Sequence, residues 1–212
     1  RGLLQLLQMW PKIIERYSNA SLHIYADVDG KWVNDVEREM MIQVKQLLNY
    51  YNSNKANNIH YHGWVSKSEL ADGWATSEYW FYPCTFRETF CLTAVEAALS
   101  RTACITNGLA ALENTVGNRG VCVTGDACTK EWQQRALDAL FSIMENKGKR
   151  EQLIQANYEW ASKMSWENQA AKLMNEHINP PYPPLGKVEP KAQNAFQPAT
   201  PTFQPATPTF QP

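Results

Sequence analysis

The sequence lacks three features that mark large classes of protein. It has no run of about 18 apolar residues, so the pattern predicts no transmembrane segment. Its 20 Lys and Arg residues are balanced by 21 Asp and Glu residues and form no basic block, which argues against nucleic acid as a partner. It also has no CxxC pair, and its four His residues are scattered, so we expect no metal site.

Cysteine is scarce and odd in number. Five residues in strand-like or helix-like contexts predict reduced, mostly buried thiols. Because no signal peptide is visible, these thiols favour a cytoplasmic protein. The cysteines are Cys84, Cys91, Cys104, Cys122 and Cys128.

Hydrophobic periodicity divides the chain into alternating strands and helices. The alternation predicts an α/β fold with a doubly wound parallel sheet, built by about 175 residues. In such a sheet, ligands bind beyond the carboxyl ends of the strands. The predicted strands are 21–26, 59–62, 79–82, 103–106 and 120–123. The predicted helices are 3–17, 34–51, one that follows Ser66 as its N-cap, 90–99, 130–146, 149–163 and 166–177.

The composition changes after residue 178. Residues 179–212 are rich in proline, and the heptapeptide FQPATPT occurs at 196–202 and again at 203–209. Proline forbids a coiled coil with this period, so we predict a disordered, extended tail after a folded domain at 1–178. The repeated Phe and Pro residues are also compatible with docking motifs.

Two carboxylates stand eight positions apart, at Glu88 and Glu96, with an almost wholly apolar segment between them. The segment predicts a helix from Phe90 to Leu99 that is buried nearly all round, and a buried carboxylate needs a hydrogen-bonding partner. The amides at the start of this helix, near Cys91, suit a diphosphate. Glu96 is then placed to accept from a ribose diol and Glu88 to reach a sugar hydroxyl. The alternative for Glu96 is a buried ion pair with Arg101 or Arg119.

Several motifs occur in the same order along the chain. Residues 1–177 resemble the C-terminal half of a retaining GT-B glycosyltransferase of family 4. The sequence of residues 79–116 resembles that of family members from large DNA viruses. The marks are Glu88-x7-Glu96, the strand with Gly-Trp-Val at 59–65, Pro83 before Glu88, the segment 106–109, and the closing Trp residues at 160 and 166. Two positions depart from the family pattern: Arg87 replaces a glycine, and an acidic residue after Gly108 is missing.

The resemblance implies a Rossmann-like fold that binds a nucleotide-diphosphate sugar and transfers its hexose to an acceptor hydroxyl with retention. It implies Glu88 as the catalytic residue at the donor sugar and Glu96 at the ribose. No metal or other cofactor is implied, and the acceptor is an unknown glycan, lipid or protein. The further donor-binding residues that it implies are Phe90, Cys91, Leu92, Thr93, Arg1, Val65, Trp64 and Gly108.

The resemblance also implies a missing part. Arg1-Gly2 matches the Lys-Gly position of the family, and the chain opens within a helical pattern without a Met. We therefore expect a fragment whose acceptor-binding N-terminal half lies upstream. An alternative function is a non-catalytic interaction module of the same fold, with the repeats at 196–209 as a docking tail.

Overall fold

The computed structural model describes residues 1–54 and 57–178. Residues 1–169 form one compact unit, and residues 170–178 belong to a second. The strands are β1 (Leu22–Ile24), β2 (Ile59–Tyr61), β3 (Tyr79–Tyr82), β4 (Ala103–Thr106) and β5 (Val121–Cys122). The longer helices are α1 (Leu3–Arg16), α3 (Arg38–Asn52), α7 (Lys130–Glu145) and α8 (Lys147–Ala161). The shorter ones are α2 (Lys31–Val36), α4 (Lys67–Ala75), α5 (Leu92–Leu99), α6 (Leu112–Thr115) and α9 (Trp166–Leu173), with a 3-10 turn at Gly117–Arg119 and a π-helical turn at Met174–Ile178.

All recorded strand pairs are parallel, which confirms the predicted α/β class. The hydrogen-bonded strands form two separate sheets, β1-β2 and β3-β4-β5, rather than one. Between them lies a cavity of about 840 Å³, lined by residues of β1 and β3 and by helices α1, α4 and α7. Loops beginning at Pro83 and Asn107 follow the carboxyl ends of β3 and β4.

Helix α1 joins two hydrophobic clusters. Trp10 and Ile13 pack into a cluster centred on α7, whereas Leu4 and Leu7 pack into a second cluster with residues of α3. Apolar residues at this spacing form one stripe along a helix, and their burial stabilises the helix against both neighbours. The sequence pattern predicted this helix correctly.

Pro11 lies inside α1, where a proline removes one hydrogen bond of the helix. The carbonyl that loses its partner belongs to Leu7, four residues earlier. The buried hydroxyl of Tyr51 on α3 donates to that carbonyl at 2.9 Å. The side chain therefore replaces the missing amide, and the helix continues through the proline.

Local signals placed most element boundaries within a few residues. The capping box at α4 is confirmed: the Ser66 hydroxyl accepts from the Glu69 amide at 3.2 Å, and the Glu69 carboxylate accepts from the Ser66 amide at 2.9 Å. The helix predicted from residue 34 is in fact two helices, α2 and α3, which meet at Glu37. Helix α5 begins at Leu92 rather than at Phe90.

Four features expected from the sequence concern membrane-spanning helices, metal sites, cysteines and the C-terminal tail. Within residues 1–54 and 57–178, no helix is both long and apolar enough to cross a membrane, and no group of three or more His, Cys, Asp or Glu side chains is arranged to hold a metal ion. All five cysteines are free thiols. The predicted tail at 179–212 lies outside the described residues, so the domain boundary at 178 stays a prediction.

Three histidines lie together on one face of β1 and β2. His23 Nδ1 lies 3.0 Å from His62 Nε2, and the His23 ring stacks on His60 with centroids 4.7 Å apart. Partial burial and then the neighbouring His60 and His62 lower the pKa of His23. His60 and His62 are thus part of one cluster that also includes His23.

The lowered pKa of His23 makes stability depend on pH. Because the unfolded chain binds this proton at higher pH than the folded chain, the free energy of unfolding should fall as the pH drops below about 6.5. We expect His23→Gln to weaken this decline between pH 7 and 5, measured by urea unfolding at each pH. An unchanged pH dependence in the variant would contradict the assignment to His23.

Candidate donor site

Glu88 lies where two loops meet, beyond the carboxyl ends of β3 and β4. The Tyr82 hydroxyl, at the end of β3, donates to Glu88 Oε1 at 2.8 Å. The Glu88 carbonyl accepts from the Ala111 amide of the next loop at 3.2 Å. The side chain is 17% exposed. Glu88 is therefore a partly buried carboxylate in the crevice where parallel α/β sheets bind ligands.

Arg1 brings a positive charge to the same carboxylate. Its Nη1 lies 3.9 Å from Glu88 Oε1, and its guanidinium carbon lies 3.4 Å from the centroid of the Phe86 ring. Gly2, at φ +78°, allows this approach, because a Cβ at that position would lie 2.5 Å from the Pro83 carbonyl oxygen. Such a partly exposed ion pair adds little stability, but it places a cation at the mouth of the crevice.

The start of α5 faces the same loop. Cys91, the residue before the helix, adopts a left-handed conformation at φ +68°. Its carbonyl accepts from the Ala94 amide at 3.0 Å, and the amides of Leu92 and Thr93, earlier in the same turn, have no acceptor within the helix. Burial, together with smaller contributions from the nearby carboxylates of Glu88 and Glu96, raises the pKa of Cys91 to about 11. Cys91 is thus a neutral thiol between the two glutamates. Phe90, Leu92 and Thr93 are exposed around it.

Glu96 is exposed, so the prediction of a buried carboxylate is wrong. Helix α5 buries Ala94, Val95, Ala97 and Ala98 and turns Glu96 outward. Neither alternative partner reaches it. Arg101 donates to Gln155 at 3.0 Å, and Arg119 donates to the Asn114 carbonyl at 2.5 Å. With Thr93, one turn earlier, Glu96 lines the cavity between the two sheets.

Trp64 and Val65 lie on the loop after β2, in the other sheet. Gly63 turns the chain there with φ +71°, and the Trp64 side chain is 86% exposed. Val65 is half-buried. The predicted base-contacting residues therefore sit at the carboxyl end of the β1-β2 sheet, whereas Glu88, Arg1 and the loop of Gly108 meet at the end of the β3-β4-β5 sheet.

Asn107 ties the loops together, and sequence reasoning did not single it out as a site residue. Its amide donates to the Cys84 carbonyl at 2.7 Å and lies 3.5 Å from the Gly125 carbonyl, and the side chain is only 4% exposed. Gly108 follows at φ +66°. The sequence signal that could have identified Asn107 is an amide side chain directly after a buried strand and before a glycine. Through these hydrogen bonds, Asn107 fixes the loops that follow β3, β4 and β5 relative to one another.

Comparison with known proteins shows what this arrangement is similar to. The sequence profile of a family described as glycosyl transferases group 1 matches residues 1–141. No curated protein matches the sequence at a significant level.

Solved structures share the fold at low sequence identity. The α,α-trehalose-phosphate synthase (UDP-forming) from Burkholderia xenovorans is 15% identical with a TM-score of 0.56, and the match covers 82% of this chain and 41% of that one. Anabaena HepE, solved in complex with UDP-glucose, is 14% identical with a TM-score of 0.53, and the match covers 78% and 52%. The chain therefore spans about half or less of the length of these proteins. The predicted Rossmann-like architecture is confirmed.

Proposed function

Because the chain belongs to the glycosyl transferases group 1 family, we propose that it is the donor-binding half of a glycosyltransferase. The full protein would move a hexose from a nucleotide-diphosphate sugar to the hydroxyl of a glycan, lipid or protein acceptor with retention of configuration. The observation that carries this proposal is the meeting of Glu88, Arg1 and the start of α5 at the carboxyl end of one sheet.

Each part of the site suits one part of the donor. The Glu88 carboxylate accepts from a hydroxyl of the transferred sugar. Arg1 and the free amides of the first turn of α5, at Leu92 and Thr93, stabilise the diphosphate and the negative charge that develops on it as the bond to the sugar breaks. Glu96, one turn further along the exposed face, accepts from the ribose hydroxyls.

The remaining predicted residues line the approach to the site. Gly108 allows its loop to turn beside Glu88, and Phe90 and Cys91 lead into α5. Trp64 and Val65, on the loop after β2, offer an apolar surface to the nucleobase. Uridine is the base that we favour, since HepE was solved with UDP-glucose and the Burkholderia enzyme is described as UDP-forming.

Calorimetric titration with UDP, GDP and their hexose conjugates tests the proposal. We expect saturable binding of one nucleotide and its hexose conjugate. Glu96→Ala should lower the affinity for both ligands by about ten- to hundredfold, since hydrogen bonds to a charged group contribute about 1.5–3 kcal/mol. Glu131→Ala, which removes an exposed glutamate from the first turn of α7, is the matched control and should leave binding unchanged. Failure of the chain to bind any nucleotide would contradict the proposal.

A further inference from the structure

Tyr82 has a polar partner that neither the sequence motifs nor the proposed function used. It is the last residue of β3, and its ring stacks on that of Trp80 with centroids 5.1 Å apart and planes 26° apart. The stacking fixes the direction of the phenol. Its hydroxyl then meets Glu88 Oε1 at 2.8 Å, six residues further along the chain.

The Tyr82 hydroxyl stays protonated and acts as a hydrogen-bond donor. Burial, followed by the neighbouring Cys84 and Glu88, raises the pKa of Tyr82 far above its ordinary value. The phenol therefore keeps its proton throughout the neutral range and donates to the carboxylate. It does not act as a base.

Both polar contacts recorded for the Glu88 side chain, within residues 1–54 and 57–178, end on the same oxygen. Tyr82 donates to Oε1, and the Arg1 guanidinium also lies nearest to Oε1. The main chain of Glu88 is held at both ends as well, because its amide donates to the Phe86 carbonyl at 3.0 Å and its carbonyl accepts from Ala111. The carboxylate is thus fixed by one oxygen, and Oε2 is left to accept from a ligand.

We infer that Tyr82 is a positioning residue that directs Glu88 Oε2 toward a hydroxyl of the donor sugar. The inference rests on the proposed function, because it assigns a role within the same site. A carboxylate held in one rotamer loses less entropy on binding than a free one. Tyr82 should therefore contribute to binding of the sugar and not to binding of the nucleotide alone.

The test compares Tyr82→Phe with the unchanged chain, using UDP and UDP-glucose as probes. The variant keeps the ring and its stacking on Trp80 and removes only the hydroxyl. We expect UDP affinity to stay within about twofold and UDP-glucose affinity to fall about tenfold, the usual effect of losing a hydrogen bond to a charged group. Equal losses for the two probes would show a general structural role and overturn the inference.

Tyr51→Phe is the matched control. Tyr51 lies on α3, and its buried hydroxyl donates to the Leu7 carbonyl at 2.9 Å, so the substitution also removes one hydrogen bond of a tyrosine and keeps its ring. Tyr51 does not line the cavity that contains Glu96, and we expect the substitution to leave the affinities for both probes unchanged. Melting temperatures of all variants establish that each is folded.

A double-mutant cycle separates positioning from an independent effect. If Tyr82 acts through Glu88, then Tyr82→Phe should have no further effect on UDP-glucose affinity in a Glu88→Gln background. Additive losses would overturn the inference while leaving the proposed function intact. If the unchanged chain binds neither UDP nor UDP-glucose, the assignment of this site to a uridine donor fails, and the inference fails with it.

Discussion

Trp132→Ala is expected to lower the free energy of unfolding by about 3–5 kcal/mol, the usual cost of deleting a buried aromatic side chain. Trp132 is fully buried in the cluster formed by α1, α7 and β4. Its removal leaves a cavity that the remaining residues of this cluster fill only in part, so both transfer energy and packing are lost. This is the largest effect that we expect from a single substitution.

The loss should also reach the donor site. The Trp132 indole donates to the Val123 carbonyl, and its ring lies against Gly125, where a Cβ would be 3.1 Å from Trp132 Cδ1. The Gly125 carbonyl is in turn 3.5 Å from the Asn107 amide, which holds the loop of Cys84. Trp132 therefore helps to hold the loops of Gly125, Asn107 and Cys84 in place.

Urea unfolding followed by fluorescence and circular dichroism measures the effect. Trp166→Ala is the matched control, because this tryptophan is 80% exposed and lies at the start of α9. We expect the control to change the free energy of unfolding by less than about 1 kcal/mol. A loss below that value for Trp132→Ala would mean that the core around α7 repacks.

Local patterns predicted the elements well because each pattern is set by its own residues. The stripe of α1, the capping box at Ser66 and Glu69, and the aromatic strand β3 are examples. Strand pairing depends on residues far apart in the chain. The alternation of elements therefore could not show that β1 and β3 belong to two separate sheets with a cavity between them.

The two glutamates differ in how much of their position the sequence pattern could predict. The order of strand, loop and helix predicted that Glu88 follows the carboxyl end of β3, and the structure has it there. The apolar composition of 90–99 suggested full burial, but α5 is eight residues long and small alanines supply its buried face, so Glu96 points outward. The hydrogen bond from Tyr82 to Glu88 depends on the conformation of the five-residue loop 83–87, which sequence spacing alone does not predict.

Gly2→Ala should have the second large effect, because two separate costs act at one position. At φ +78° an L residue is strained by about 1–2 kcal/mol. In addition, the new Cβ would lie 2.5 Å from the Pro83 carbonyl oxygen, so either α1 or the Pro83 loop has to move. Overpacking of this kind usually costs about 1–3 kcal/mol, and we expect a total loss of about 2–5 kcal/mol in the free energy of unfolding.

Gly117→Ala separates the two costs. Gly117 also has a positive φ, at +50°, but no atom lies within 4 Å of the position of its Cβ. It should therefore show the conformational strain alone, and the difference between the two variants measures the contact with Pro83. Because that contact sets where α1 begins, Gly2→Ala should also move Arg1 away from Glu88 and weaken nucleotide binding, while Gly117→Ala should not. Equal losses of stability for the two variants, with nucleotide affinity unchanged in both, would show that the approach of Gly2 to Pro83 has no part in holding Arg1 at the crevice.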